Sequence, residues 1–378
     1  MQFRDLKSQY RALKDQMDAA IEQVLDSSDY IAGDQIDELE QELAEYVGVK
    51  HCVSCGNGTD ALTLALKAWG VGLGDAVFVP DHTFFSSAES VAFVGATPVF
   101  ADVSEDTFNL DAESLERVIK AVISEGKLKP RAIVAVDLYG LPADYDRIRK
   151  IADRYHLYIL EDCAQGFGST WHGKPAGSFG DISTTSFFPA KPLGCYGDGG
   201  AVFTDHAEWA ALIRSMRVHG KGSDKYDNVR IGMNSRLDTI QAAVLQVKLK
   251  AFKEYELRDV NAVAARYTEG LKDCVKVPRV PADCTSSWAS YNILLKDEKE
   301  RDQVRAHLKE NGVPTMIYYP KGLHQQKVFL GCCLYGESLS VTESICKRTL
   351  AIPVSPYLSL EDQQRIIRLI REKTGADA

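Results

Sequence analysis

The sequence predicts an α/β protein built on a mostly parallel sheet, and three observations carry that prediction. Short runs rich in β-branched residues alternate with helical stretches from residue 51 to residue 204. Helical segments lie between most consecutive runs, and these are the crossovers that parallel strands need. Beyond about residue 206 the strand runs stop, helical periodicity takes over, and a shorter mixture of helices and strands closes the chain.

Taken in order, residues 7 to 27 space their apolar positions as a helix does, and residues 34 to 47 form a second, acidic amphipathic helix. Seven strands follow at His51–Ser54, Ala76–Pro80, Thr97–Ala101, Ala132–Asp137, Tyr158–Glu161, Ile182–Ser186 and Ala201–Thr204. Helices are expected near 59–70, 84–94, 112–125 and 144–155. The stretch from Arg236 to Tyr267 reads as one long helix or a broken pair. After Pro278 and Pro281 come a strand at Ser290–Lys296, a helix at Arg301–Gly312 and a strand through Thr315–Tyr319. A last helix begins near Ser359, a good N-cap. We divide the chain into a large α/β domain over 1–245, including the N-terminal helices, and a small α+β domain over 246–378.

Composition narrows the function. The chain has 378 residues, 45% hydrophobic and 26% charged, the profile of a soluble globular protein. A formal net charge of −9 without a basic cluster argues against nucleic acid and anionic membrane as partners. Any anionic ligand must therefore be held by local donors. No apolar stretch is long enough to span a bilayer, and the charged, amphipathic N-terminus does not read as a secretory signal. Nine scattered cysteines, of which only Cys332 and Cys333 are adjacent, suggest a reducing cytosol. Cys52 and Cys55 form a single C-x-x-C on an apolar strand with no second half of a zinc set, so they read as buried structural thiols and no metal site is expected.

Lys191 lies in Ser-Phe-Phe-Pro-Ala-Lys-Pro-Leu-Gly, residues 186 to 194. A lysine lodged between apolar and turn residues is poorly solvated, so its ammonium form is disfavoured and its pKa falls. A neutral amine condenses with aldehydes, and the biological aldehyde that suits it is pyridoxal phosphate (PLP). Alone, Lys191 reads first as a surface lysine in a loop; its companions reverse that. Asp162 ends a strand in Glu161-Asp162-Cys163-Ala164-Gln165, where a carboxylate can keep a pyridine nitrogen protonated and Gln165 can donate to the cofactor's phenolic oxygen. Gly56-Asn57-Gly58-Thr59 follows the first strand and opens a helix, a phosphate cradle by its glycines, hydroxyl and helix N-terminus, though an ordinary capped turn reads the same way. Ser186 can reach the same phosphate. One ring of Phe84-Phe85 can stack on the cofactor, while the other belongs to the core.

Together these segments resemble the DegT/DnrJ/EryC1/StrS family of PLP-dependent sugar aminotransferases. The resemblance runs nearly end to end, through GNGTDAL, EDCAQGFGS, TSFFPAKPLGCYGDGGA, GMNSRLDTIQAA and Tyr319-Pro320 to Ser355-Pro356-Tyr357-Leu358. It looks most like the branch that aminates C3 of UDP-linked 3-keto sugar acids. The resemblance implies PLP-dependent transferase fold type I, like aspartate aminotransferase, and a homodimer with both active sites at the subunit interface. It implies Lys191 as the residue that condenses with the cofactor, Asp162 at the pyridine nitrogen and Gln165 at O3′. It places Gly58, Thr59 and Ser186 on the phosphate, Phe84 on the ring, and Asn234 on the phosphate of the neighbouring subunit. Arg236, Tyr318, Tyr319 and His324 are implied for the nucleotide sugar. The reaction implied moves an amino group from L-glutamate, leaving 2-oxoglutarate, to a UDP- or dTDP-linked 3-keto sugar in the cytoplasm. Phe188, where many relatives carry His, and Lys321-Gly322, where many carry an apolar residue and Pro, depart from the pattern and bear on sugar specificity.

Four rivals remain. A C4 aminotransferase acting on a 4-keto-6-deoxy sugar has the same motifs. A sugar dehydratase of this fold carries His in place of the lysine. A cysteine desulfurase needs a mobile Cys, for which Cys195 stands at a suitable position. A regulator would retain a relic site, against which the complete lysine, acid and phosphate set argues.

Overall fold

A computed structural model describes residues 1–224, 226–331 and 335–375; Cys332 and Cys333 lie outside them. The strands, in chain order, are β1 (His51–Cys55), β2 (Asp75–Pro80), β3 (Thr97–Ala101), β4 (Lys129–Val136), β5 (Tyr158–Asp162), β6 (Thr170–Trp171), β7 (Lys174–Pro175), β8 (Ile182–Ser186), β9 (Gly200–Thr204), β10 (Cys284–Thr285), β11 (Tyr291–Leu294) and β12 (Thr349–Ile352). The α-helices are α1 (Leu6–Ser27), α2 (Asp34–Val47), α3 (Gly58–Ala68), α4 (Ser86–Phe93), α5 (Ala112–Glu125), α6 (Tyr145–Tyr155), α7 (Ala207–Met216), α8 (Thr239–Ala251), α9 (Leu257–Leu271), α10 (Glu298–Glu310), α11 (Ser340–Arg348) and α12 (Leu360–Thr374).

Seven strands form the central sheet in the order β1-β9-β8-β5-β4-β2-β3. Pairing is parallel between β2 and β3, β2 and β4, β4 and β5, and β5 and β8; only β9 runs against its neighbours. All seven predicted strands are present, because each is an apolar run that two helical layers can cover. Successive residues serve opposite layers. Val77 and Val79 of β2 join the core under α3, α4 and α7, while Ala76 and Phe78 join the core under α5 and α6. Each such valine or phenylalanine side chain, once fully buried, contributes roughly 1.5–3 kcal/mol.

The division drawn at 245/246 falls inside α8. This helix continues through a π turn at Phe252–Glu256 into α9, so one rod runs from Thr239 to Leu271. Its first half, through Phe252, packs with α1 and α2; from Val260 it packs with α12, β11 and β12. Periodicity alone does not reveal that a helix changes core part-way along.

Thr315–Tyr319 is not a strand. Within it Met316 alone makes a bridge, to Ala351, and β12 pairs with β11 instead. Pro314 and Pro320 bracket the segment, and neither can donate a backbone N–H to extend a ladder. Helix α11 and the three-stranded sheet of β10, β6 and β7 carried no readable pattern, the latter because its strands are two residues long.

Candidate active site

The carboxyl ends of β1, β2, β5 and β8 converge on a cavity of about 500 Å³, a size typical of small-molecule sites. After β1, Asn57 caps α3 by accepting the Asp60 N–H at 2.8 Å. Gly58 then begins the helix against Ser186 at the end of β8. A Cβ at residue 58 would lie 2.7 Å from that of Ser186, so only glycine permits the approach. The first N–H groups of α3 have no intrahelical acceptor, and the helix dipole adds partial positive charge there. With the hydroxyls of Thr59, Ser86 and Ser186 at the cavity wall, this corner can hold an anion.

Asp162 closes β5 on another wall. Ser87 Oγ donates to its Oδ2 at 3.0 Å and the Ala164 N–H to its Oδ1 at 3.2 Å. Burial pushes its carboxyl up; the Lys191 ammonium and these two donors pull it back. Lys191 keeps partial access to the cavity, but its amine is enclosed by protein. Burial therefore lowers the pKa of this lysine, opposed by Asp162 and assisted by the Arg4 cation. Gln165 accepts the Tyr139 N–H at 2.9 Å and donates to the Tyr319 hydroxyl at 3.3 Å, which fixes its amide. The two phenylalanines divide as expected: Phe84 is 52% exposed at the cavity, and Phe85 packs on Phe329 with ring centroids 5.6 Å apart.

The structure thus brings Gly58, Thr59, Phe84, Asp162, Gln165, Ser186, Lys191, Tyr318 and Tyr319 to one cavity. Three expected residues do not line it in this chain. Asn234 is exposed, and Arg236 is half-buried with an Nε that has no partner. His324, expected at the sugar, turns away because both ring nitrogens are taken, Nδ1 by Asp81 at 2.6 Å and Nε2 by Glu343 at 3.4 Å. Gly322 makes that packing possible, since a Cβ there would meet Asp81 Oδ2 at 2.3 Å. Phe188 does line the cavity, at 52% exposure. Sequence reasoning missed Ser87, Asp198 and Ala289–Ser290. Ser87 touches Asp162 across 75 residues of chain and carries no local signal.

The rival thiol chemistry finds no support. Cys195 is buried with its thiol on the Phe187 and Gly197 carbonyls, and burial pushes it up to about 11, away from the range of an activated thiol. Cys55 is pushed up to about 12 and Cys52 also rises, as buried structural thiols do. Among the described residues, no group of His, Cys, Asp or Glu is placed to hold a metal ion, and no helix is long and apolar enough to cross a membrane.

An anion corner, a buried carboxylate, an enclosed amine and an exposed ring in one cavity match the phosphate, pyridine nitrogen, aldehyde and ring face of PLP. The profile of the DegT/DnrJ/EryC1/StrS aminotransferase family matches residues 11–371. The chain belongs to that family. It is a PLP-dependent aminotransferase of fold type I. Among similar proteins of this family, the UDP-2-acetamido-2-deoxy-3-oxo-D-glucuronate aminotransferase of Pseudomonas aeruginosa is 42% identical over 359 residues, 95% of this chain and 96% of the relative. A pleiotropic regulatory protein of Geobacillus stearothermophilus is 40% identical, covering 97% of each chain. The crystal structure of a DegT DnrJ EryC1 StrS aminotransferase from Brucella abortus superposes with a TM-score of 0.97 at 49% identity, covering 99% of this chain and 100% of that one.

Proposed function

We propose that this enzyme takes an amino group from L-glutamate and delivers it to C3 of a nucleotide-linked 3-keto sugar, UDP- or dTDP-linked, as a cytoplasmic homodimer. The observation that carries the reading is the enclosed Lys191 facing Asp162 across a cavity whose far corner is the N-terminus of α3. The sugar follows from the relative that acts, by its name, on a UDP-linked 3-oxo-glucuronate.

Bound PLP supplies an aldehyde for amines and, while its ring nitrogen is protonated, a sink for the electron pair released at the substrate carbon. The residues do the rest. In our reading the α3 N-terminus, Thr59 and Ser186 would anchor the phosphate. Phe84 would cover the ring, and Gln165, held by Tyr139 and Tyr319, would donate to its oxygen. Asp162 would keep the ring nitrogen protonated. Lys191, whose ammonium form burial disfavours, would be the residue that condenses with the cofactor's aldehyde, and its Nζ would hold and move the proton during the transfer. Tyr318 and Tyr319, from the part of the chain beyond 245, face the sugar nucleotide. Asn234 and Arg236, which miss this chain's cavity, act in the partner's.

The test is spectroscopic and then chemical. The purified protein should carry a visible absorption band that glutamate bleaches, and a UDP- or dTDP-linked 3-keto sugar should restore the band and yield the amino sugar by mass spectrometry. Restoration by 4-keto sugars alone would move the reaction to C4. No bleaching by glutamate would reject the donor.

A further inference from the structure

The turn that bears Lys191 is gripped from behind by two cations that do not line the cavity. From the N-terminal segment, Arg4 Nη2 reaches the Lys191 carbonyl at 3.4 Å, while its Nη1 reaches the Trp288 and Ala289 carbonyls at 3.4 and 3.5 Å. From α8, Lys248 Nζ donates to the Gly194 carbonyl at 2.7 Å and sits 4.4 Å from the centroid of the Tyr196 ring. The turn transmits that grip. A Cβ at Gly194 would stand 2.6 Å from the Phe188 and Pro189 carbonyl oxygens, so the backbone folds tightly back on itself. The Lys191 N–H in turn donates to the Phe188 carbonyl at 2.8 Å. One buried carboxylate answers both cations: Glu256, which is fixed by Gln9 at 2.9 Å and Tyr357 at 2.6 Å.

Lys248 is 1% exposed. Burying an ammonium is costly even when a carboxylate answers it, and an apolar side chain of similar volume would be as stable there or more so. Burial lowers its pKa to about 8, so the cation is close to losing its proton under ordinary conditions. A buried charge at the back of a catalytic turn therefore calls for a reason other than stability.

We propose that Arg4 and Lys248 are positioning residues for Lys191: they clamp the two ends of its turn, and Arg4 sets a positive charge on the carbonyl of that residue. The inference rests on the reading of Lys191 as the reacting amine. Of the charged groups that act on that amine, Asp162 favours its proton and the Arg4 cation opposes it; Asp198 stands on the same cavity wall.

The experiment uses the full-length protein freed of PLP. Lys191 is labelled competitively with acetic anhydride across a pH series and quantified by peptide mass spectrometry, and backbone hydrogen exchange is followed through residues 191–197. Arg4→Leu should raise the pH at which Lys191 becomes reactive, slowing its labelling near neutrality by about threefold or more, and Arg4→Lys should restore it. Lys248→Met should speed exchange in the 191–197 turn by about tenfold or more while leaving α8 protected. Wild-type labelling in Arg4→Leu removes Arg4 from the proposal, and wild-type exchange in Lys248→Met removes Lys248. Failure of Lys248→Met to fold also counts against it, because that lysine would then be structural. The underlying reading fails separately, if borohydride treatment of the wild-type holoprotein leaves no cofactor fixed to Lys191.

Discussion

Glu161 and Asp162 are consecutive carboxylates at the end of β5, both buried, and they face opposite sides of the sheet. Glu161 looks into the protein. The Gly177, Phe179 and Gly180 N–H groups and the Ser183 hydroxyl donate to it at 2.5, 2.7, 3.1 and 2.7 Å. One of those four donors sits on Oε1 and three crowd Oε2, and together they tie the loop before β8 to β5. Asp162 looks into the cavity with two donors and a lysine. Half of its acceptor capacity is free for a ligand. The same functional group thus holds the fold on one side and stays open to a ligand on the other, and the number of donors separates the two settings.

That contrast can be broken by substitution. Lys191→Ala should lower turnover by about 10²–10⁴-fold or more while leaving the protein folded, the share usual for general acid–base work, and near-normal activity would reject the assignment. Asp162→Asn should cost on the order of 10²–10³ in kcat, since a neutral amide cannot hold the ring proton, with little change in thermal midpoint. A large loss of stability in that variant would erase the distinction from its neighbour. Glu161→Gln should do the reverse, lowering the unfolding free energy by about 2–3 kcal/mol through mismatched buried donors, with turnover per folded molecule close to wild type.

A buried group at the end of β2 sharpens the same comparison through pH. His82 is enclosed, with Nε2 2.7 Å from the Tyr139 hydroxyl, and burial lowers its pKa to about 3. Between the ordinary histidine value of about 6.5 and about 3 the unfolded chain binds a proton that the folded chain refuses. Stability should therefore fall as pH drops through that window, by roughly 1 kcal/mol per pH unit from this residue. Urea unfolding of wild type and His82→Gln at several pH values measures the difference, and parallel pH dependence in the two proteins would contradict the assignment. Glu161 contributes with opposite sign, because burial raises its pKa, so only the difference between the proteins isolates His82.

The sheet was legible because each strand is a compact apolar run, and the cofactor corner because its parts are contiguous: Gly58-Thr59, Asp162 to Gln165, Ser186 to Lys191. What stayed hidden depends on distance along the chain. Nothing near Ser87 announces Asp162, nothing near Arg4 or Lys248 announces the turn at 191–194, and the Asp81–His324 pair joins residues 243 apart. The loop context of His324 is visible in the sequence, and its two carboxylate partners are not. Thr315–Tyr319 had strand-like residues but no partner free along its length.

The uninterrupted rod from Thr239 to Leu271 sets a rule for anyone recombining this enzyme with its relatives. A crossover at 245/246 would splice two proteins in mid-helix and set Leu249 and Phe252 of one parent into a core built mainly by earlier residues of the other. Swapping the C-terminal part calls for a junction beyond Leu271, so that the lysine reaching back to the turn at 191–194 travels with the half it serves.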